Sequence, residues 1–168
     1  MILFMDSKRN SDLINRQPDA KAEIKGSVLY PDINGCVEFY QTERGVVVLA
    51  EIDCLPTDGE KCKGRFLGFH IHSGKSCTGN RRDPFANAGT HYNPCRTPHP
   101  NHGGDLLPLL ENNGYAFEIF LSNRFTVREI IGRTVVVHSD PDDFTTQPSG
   151  NSGNKIACGV IKSTTRRQ

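Results

Sequence analysis

Gly35-Cys36-Val37-Glu38-Phe39-Tyr40-Gln41 and Gly45-Val46-Val47-Val48-Leu49-Ala50-Glu51-Ile52, with Thr42-Glu43-Arg44 between them, decide the fold class. Both segments are rich in Val, Ile, Phe and Tyr, residues that suit a pleated, half-buried surface. The polar Glu43-Arg44-Gly45 break between them reads as a turn. The same pattern recurs in both directions. Residues 24–30 form a strand-like segment closed by Pro31-Asp32, and the segment over 45–55 ends at Pro56-Thr57-Asp58-Gly59. Further segments follow at 65–72, 115–121, 133–138 and 155–162, and no stretch of useful length has a helical period. Seven or eight short strands separated by turns predict an all-β, antiparallel sandwich or barrel and exclude βαβ units.

A chain of 168 residues with 36% hydrophobic content and net charge +1 fits one soluble domain with a core of its own. The charge lacks the basic excess of a general nucleic-acid binder. Met1-Ile2-Leu3-Phe4-Met5 is apolar but meets Asp6 too soon for a signal core or a membrane span, which favours the cytoplasm slightly over secretion. Residues 1–20 read as a loose N-terminal arm, 21–162 as the folded domain and 163–168 as a frayed tail. Cys36, Cys54, Cys62, Cys77, Cys95 and Cys158 include no CxxC pair, so thiolate-zinc and thioredoxin-type signatures are missing. Residues 73–110 lose periodicity and fill with Gly, Pro, Asn and Asp. A structureless stretch of that length inside one domain signals either function or a mistaken element assignment.

Five of the six histidines fall within residues 70–102, inside or beside this stretch, and the sixth is His138. His70-Ile71-His72 ends a predicted strand, where side chains two apart share a face, so both imidazoles project together while Phe69 and Ile71 face the core. His99, His102 and Asp105 form a compact H-x2-H-x2-D set whose N/O donors suit zinc. His91 precedes Tyr92-Asn93-Pro94, and His138 ends Val135-Val136-Val137. Six imidazoles and a carboxylate are seven donors, whereas two four-coordinate sites need eight. Either one residue serves both ions or one position stays open. Four imidazoles suit copper and a mixed His/Asp tetrahedron suits zinc, so the spacing permits an imidazole-bridged pair.

Five motifs, in order, resemble the copper–zinc superoxide dismutase family. They are Gly68-Phe69-His70-Ile71-His72, Ala88-Gly89-Thr90-His91-Tyr92-Asn93-Pro94, His102-Gly103-Gly104-Asp105-Leu106, the 131–138 strand ending in His138, and 150–161 around Cys158. The resemblance runs from about residue 21 to 161 and implies a Greek-key β-sandwich of about eight strands with long metal-binding and electrostatic loops. It implies copper at His70, His72, His91 and His138, and zinc at His91, His99, His102 and Asp105, with His91 as the bridge. Asp142 would join a copper histidine to a zinc histidine, as carboxylates that orient ligating imidazoles do. Cys77 and Cys158 would form the family's disulfide. Cys54 and Cys62 flank a turn and could form a second, and Cys36 and Cys95 have no assigned partner.

The expected activity is conversion of superoxide to dioxygen and hydrogen peroxide by Cu(II)/Cu(I) cycling. Zinc would be the structural partner and His91 would take and return a proton; family members are often homodimers. One departure stands out. Lys155 occupies a position where the family usually has arginine, giving one mobile charge in place of a rigid fork. Lys155 is expected to draw the anion in. Its presence also motivates the rival reading, a copper or zinc carrier or buffer with little turnover. A mononuclear zinc hydrolase built on His99, His102 and Asp105 lacks an HExxH or equivalent, and an interaction module would need no metal.

Overall fold

The computed structural model describes residues 16–57 and 64–164. Its strands are β1 (Ala20–Gly26), β2 (Asn34–Thr42), β3 (Gly45–Asp53), β4 (Phe66–Leu67), β5 (Phe69–His72), β6 (Leu109–Leu110), β7 (Ala116–Ser122), β8 (Thr134–His138) and β9 (Lys155–Ser163). Seven of them form one antiparallel sheet in the order β5-β8-β9-β1-β2-β3-β7, and β4 and β6 form a second, two-stranded sheet. The large sheet curls into a half-barrel. Distant strands become neighbours at β5–β8, β9–β1 and β3–β7, as Greek-key connections require.

The deciding stretch behaves as its pattern demands. β2 and β3 pair in register from Asn34↔Asp53 to Thr42↔Gly45. Val37 and Phe39 of β2 and Val46, Val48, Ala50 and Ile52 of β3 alternate into the core, where Ala20, Ala22 and Ile24 of β1 join them. That inward row explains one shift of boundary: β1 starts at Ala20, before the predicted residue 24. It also ends early, at Gly26. Tyr30 N–H donates to Ser27 O (2.9 Å), turning the chain and leaving Val28 and Leu29 in solvent although both are apolar. A Cβ on Gly26 would lie 1.8 Å from Tyr30 O, so this turn admits only glycine. The predicted strand over 65–72 divides at Gly68 into β4, which pairs with β6, and β5, which pairs with β8; Gly68 itself packs so closely on Ser152 that a Cβ would lie 2.7 Å from it.

A short helix that the periodicity did not reveal, α1 (Val127–Ile130), is a single turn. Its sequence signal is Thr126-x-x-Glu129: the Glu129 carboxylate accepts the Thr126 N–H at 2.7 Å. Of the predicted N-terminal arm, residues 1–15 lie outside the described residues. Asp19 accepts the Gln41 N–H at 2.7 Å and Arg16 lies over the Tyr40 ring at 5.4 Å, so 16–19 lie along β2. Of the predicted tail, 165–168 lie outside the described residues, as does Cys62, the proposed partner of Cys54.

Candidate metal centre

β5 supplies the first two imidazoles. Phe69 and Ile71 enter the core, and His70 and His72 project from the opposite face, as the two-residue period requires. The long loop then returns to β5 twice. Tyr92 N–H donates to Ile71 O (2.8 Å), Ile71 N–H donates to Gly104 O (2.8 Å), and Gly104 N–H donates to Tyr92 O (2.7 Å). These bonds set His91 opposite His72 and Asp105 opposite His70. Gly104 is obligatory, since a Cβ would lie 2.1 Å from Ile71 O. His138 ends β8, just past a register shift after Val137, where it pairs with Lys155 of β9.

Two buried donor sets result. His70, His72, His91 and His138 bring one donor atom each to within 4.8 Å of one another, and so do His91, His99, His102 and Asp105. His91 belongs to both.

The hydrogen bonds fix which nitrogen faces inward. The carboxylate of Asp142 accepts from His70 Nε2 (2.7 Å) and from His99 Nε2 (2.8 Å), so both protons sit on Nε2 and both Nδ1 atoms carry lone pairs. His72 Nδ1 donates to Gly89 O (2.8 Å) and His138 Nδ1 faces Gly153 O at 3.4 Å, which leaves their Nε2 atoms bare. Those two Nε2 atoms lie 3.2 Å apart. Two lone pairs at that distance repel unless a cation sits beside them. The same holds across the second set. His99 Nδ1 is 3.0 Å from Asp105 Oδ2 and still lacks a hydrogen bond, because neither atom has a proton to share. His70 Nδ1 and His91 Nε2 are likewise buried without a partner. Orphaned buried acceptors are rare in a finished fold. Their convergence in two sets fits two metal ions, one among four imidazole nitrogens and one among three nitrogens and a carboxylate.

The electrostatics point the same way. Burial pushes the His70 imidazolium down to about 4 and that of His138 to about 3, and drives His72 well below its usual range. All three are neutral ligand-ready bases at ordinary pH. Burial alone would raise Asp142, but hydrogen bonds from His70, the Phe144 N–H and His99 prevail and hold it well below the usual carboxylate range. Asp105 is lowered too, burial being outweighed by the His91 hydrogen bond and the His102 N–H.

A cavity of about 550 Å³ opens onto His72, His91 and His138. Lys155 lines it, but its ammonium donates to Asp83, so this cation is ion-paired. Cys77 and Cys158 form a disulfide that packs on Phe85, Ala88 and Val136. Several contributors were not singled out by the sequence, although Gly150 opens the 150–161 motif. The Arg124 Nη1 atom donates to Pro100 O (2.7 Å) and reaches His102 O (3.5 Å) and Asp105 O (3.4 Å), tying the second set's loop together. Gly150, at φ +68°, sits where a Cβ would lie 2.0 Å from Asp142 Oδ1 and 2.7 Å from His99 Nε2. Arg82 and Asp83 reach the cavity from the turn after Cys77.

Residues 33–161 match the family model described as copper/zinc superoxide dismutase. The Cu-Zn superoxide dismutase of Photobacterium leiognathi is 34% identical over 142 residues, spanning 76% of this chain and 78% of that protein. Superoxide dismutase 1 (Cu-Zn) of Aquifex aeolicus is 31% identical over 177 residues, spanning 95% and 90%. Among solved structures, the Cu/Zn superoxide dismutase from Brucella abortus superposes with a TM-score of 0.72 at 26% identity, covering 85% of this chain and 99% of that one. The chain belongs to the copper/zinc superoxide dismutase family.

Proposed function

We propose that His70, His72, His91 and His138 hold copper, that His91, His99, His102 and Asp105 hold zinc, and that superoxide is turned over at the cavity beside the first set. Superoxide is the substrate, and copper and zinc the cofactors, that family membership brings. The observation that carries the residue assignment is the pair of buried donor sets sharing His91. When bound, copper supplies one-electron oxidation of one superoxide to dioxygen and one-electron reduction of a second, with two protons, to hydrogen peroxide, while zinc supplies a fixed charge behind His91.

The side chains do the rest. His91 offers Nδ1 to one set and the unpartnered Nε2 to the other. Nε2 is therefore the atom that can take up and return a proton next to the anion. Asp142 keeps the protons of His70 and His99 on Nε2, so that both Nδ1 atoms stay available as donors. Lys155, braced by Asp83, offers a close-range ammonium contact to the anion at the cavity wall. A homodimer would bury Phe117, Ile119 and Leu121, which alternate on the exposed face of edge strand β7. A monomer mass by light scattering would exclude it. Among the described residues no helix is long and apolar enough to cross a membrane.

The decisive test combines metal analysis, copper EPR and a dismutase assay on the metal-loaded protein. One copper in a nitrogen-rich site, one zinc and rapid dismutation are the expected results. A filled copper site without turnover would leave the carrier reading in its place.

A further inference from the structure

Apart from imidazoles, three charged side chains line the histidine cavity: Arg82, Asp83 and Lys155. They are not equivalent. Lys155 is mostly buried, with 16% of its side chain exposed, and its ammonium is hydrogen-bonded to the Asp83 carboxylate. That pair sums to zero charge, and its field fades as a dipole's does. Arg82 is exposed, and among the described residues its guanidinium has no hydrogen bond or ion pair. The turn presenting it is well fixed. The N–H groups of Arg82 and Asp83 both donate to Asn80 Oδ1 (2.9 and 3.1 Å), and Asp83 Oδ1 accepts the Phe85 N–H (3.0 Å). Phe85 is buried against Cys158, half of the disulfide.

We propose that Arg82 supplies the net attraction that brings superoxide to the cavity, with Asp83 as the positioning residue that holds Lys155 as a charge-compensated post in the wall. The inference rests on the cavity being the superoxide site. Beside whatever charge the metal ions bring, the three charged wall side chains sum to plus one, and with the surplus on its solvent-exposed member this wall collects a monoanion from beyond the reach of the buried pair. Screening by salt then acts chiefly on Arg82. Long-range capture thus lies on the disulfide-anchored turn and not on β9, where the sequence directs attention.

The test measures kcat/KM for superoxide on the metal-loaded full chain, from low to physiological ionic strength. R82Q is expected to lose roughly two- to fivefold at low salt, to approach the parent at high salt and to show a flattened salt slope. Removing the neutral pair in D83N/K155M is expected to preserve that slope whatever it does to the absolute rate. D83N alone, which leaves Lys155 uncompensated, is expected to steepen it. Parental salt slope in R82Q, or a flat one in D83N/K155M, overturns the proposal. Azide binding to the copper-loaded protein, followed by visible absorption, separates the two levels. Azide affinity that falls several-fold in R82Q in a protein that does not dismutate would sink the superoxide reading but leave Arg82 as the anion attractor. Azide affinity and slope unchanged in R82Q would sink Arg82 alone.

Discussion

Replacing Asp142 by asparagine tests the logic of the centre, because it keeps the shape and removes one acceptor. The carboxylate accepts three bonds: His70 Nε2 at Oδ2, and His99 Nε2 and the Phe144 N–H at Oδ1. An asparagine has one oxygen for three donors. Keeping the oxygen on the side with two donors turns the amide NH2 toward His70 Nε2, a donor against a donor. His70 escapes by moving its proton to Nδ1, the nitrogen that faces the four-histidine set. Loss of such an orienting partner typically costs about 10- to 100-fold in metal affinity, or roughly 1.4–2.7 kcal/mol. The loss is expected in copper and to be smaller in zinc, since His99 keeps its acceptor. Competition titration against a chromophoric chelator measures both affinities, and nitrogen NMR of the metal-free variant reports the His70 tautomer. Parental copper affinity, or a loss confined to zinc, would refute the argument.

Gly150→Ala is expected to damage the same bridge from the other side, weakening zinc as well as copper, since its Cβ would overlap Asp142 Oδ1 and crowd His99 Nε2; metal content after dialysis at limiting metal checks this. The metal-free protein is expected to lose stability as pH falls from about 6.5 toward 4, measured by urea midpoints. His70 is lowered to about 4 from an unfolded value near 6.5, so the unfolded chain binds the extra proton across that window and gains by it. The slope from His70 is about 1.4 kcal/mol per pH unit, and His138 adds in the same direction. A flat or rising profile there would contradict the burial argument. C77S/C158S is expected to lower stability by roughly 4–5 kcal/mol in the chain-entropy limit, because the bridge spans 81 positions; calorimetry of the variant beside the parent reads this directly.

Strands were legible where one face is buried and the period is two, as in β2 and β3, whose alternation the core confirms. Boundaries failed where backbone contacts override side-chain preference. Val28 and Leu29 are strong strand formers, yet the Ser27–Tyr30 turn leaves them 84% and 76% exposed. The histidine clustering was legible because two donor sets draw on a short list of residue types, and the resemblance supplied the partition between them. What stayed hidden are contacts across the molecule with no local signature. Lys155 meets Asp83 across 72 positions of sequence, Arg124 reaches loop carbonyls, and Gly150 makes room for a carboxylate. Each depends on which loops the curled sheet happens to bring together.

The Cys77–Cys158 crosslink has a reach beyond its contribution to folding. One end roots the turn bearing Arg82 and Asp83, and the other stands three residues along β9 from Lys155. A single covalent staple therefore spans both jambs of the cavity proposed as the anion's doorway. Opening the disulfide would free the turn that bears Arg82 and Asp83 from β9 while removing none of the seven donor side chains, so on the proposed reading a reductant would act on the spacing of the doorway charges before it acts on the metal centre.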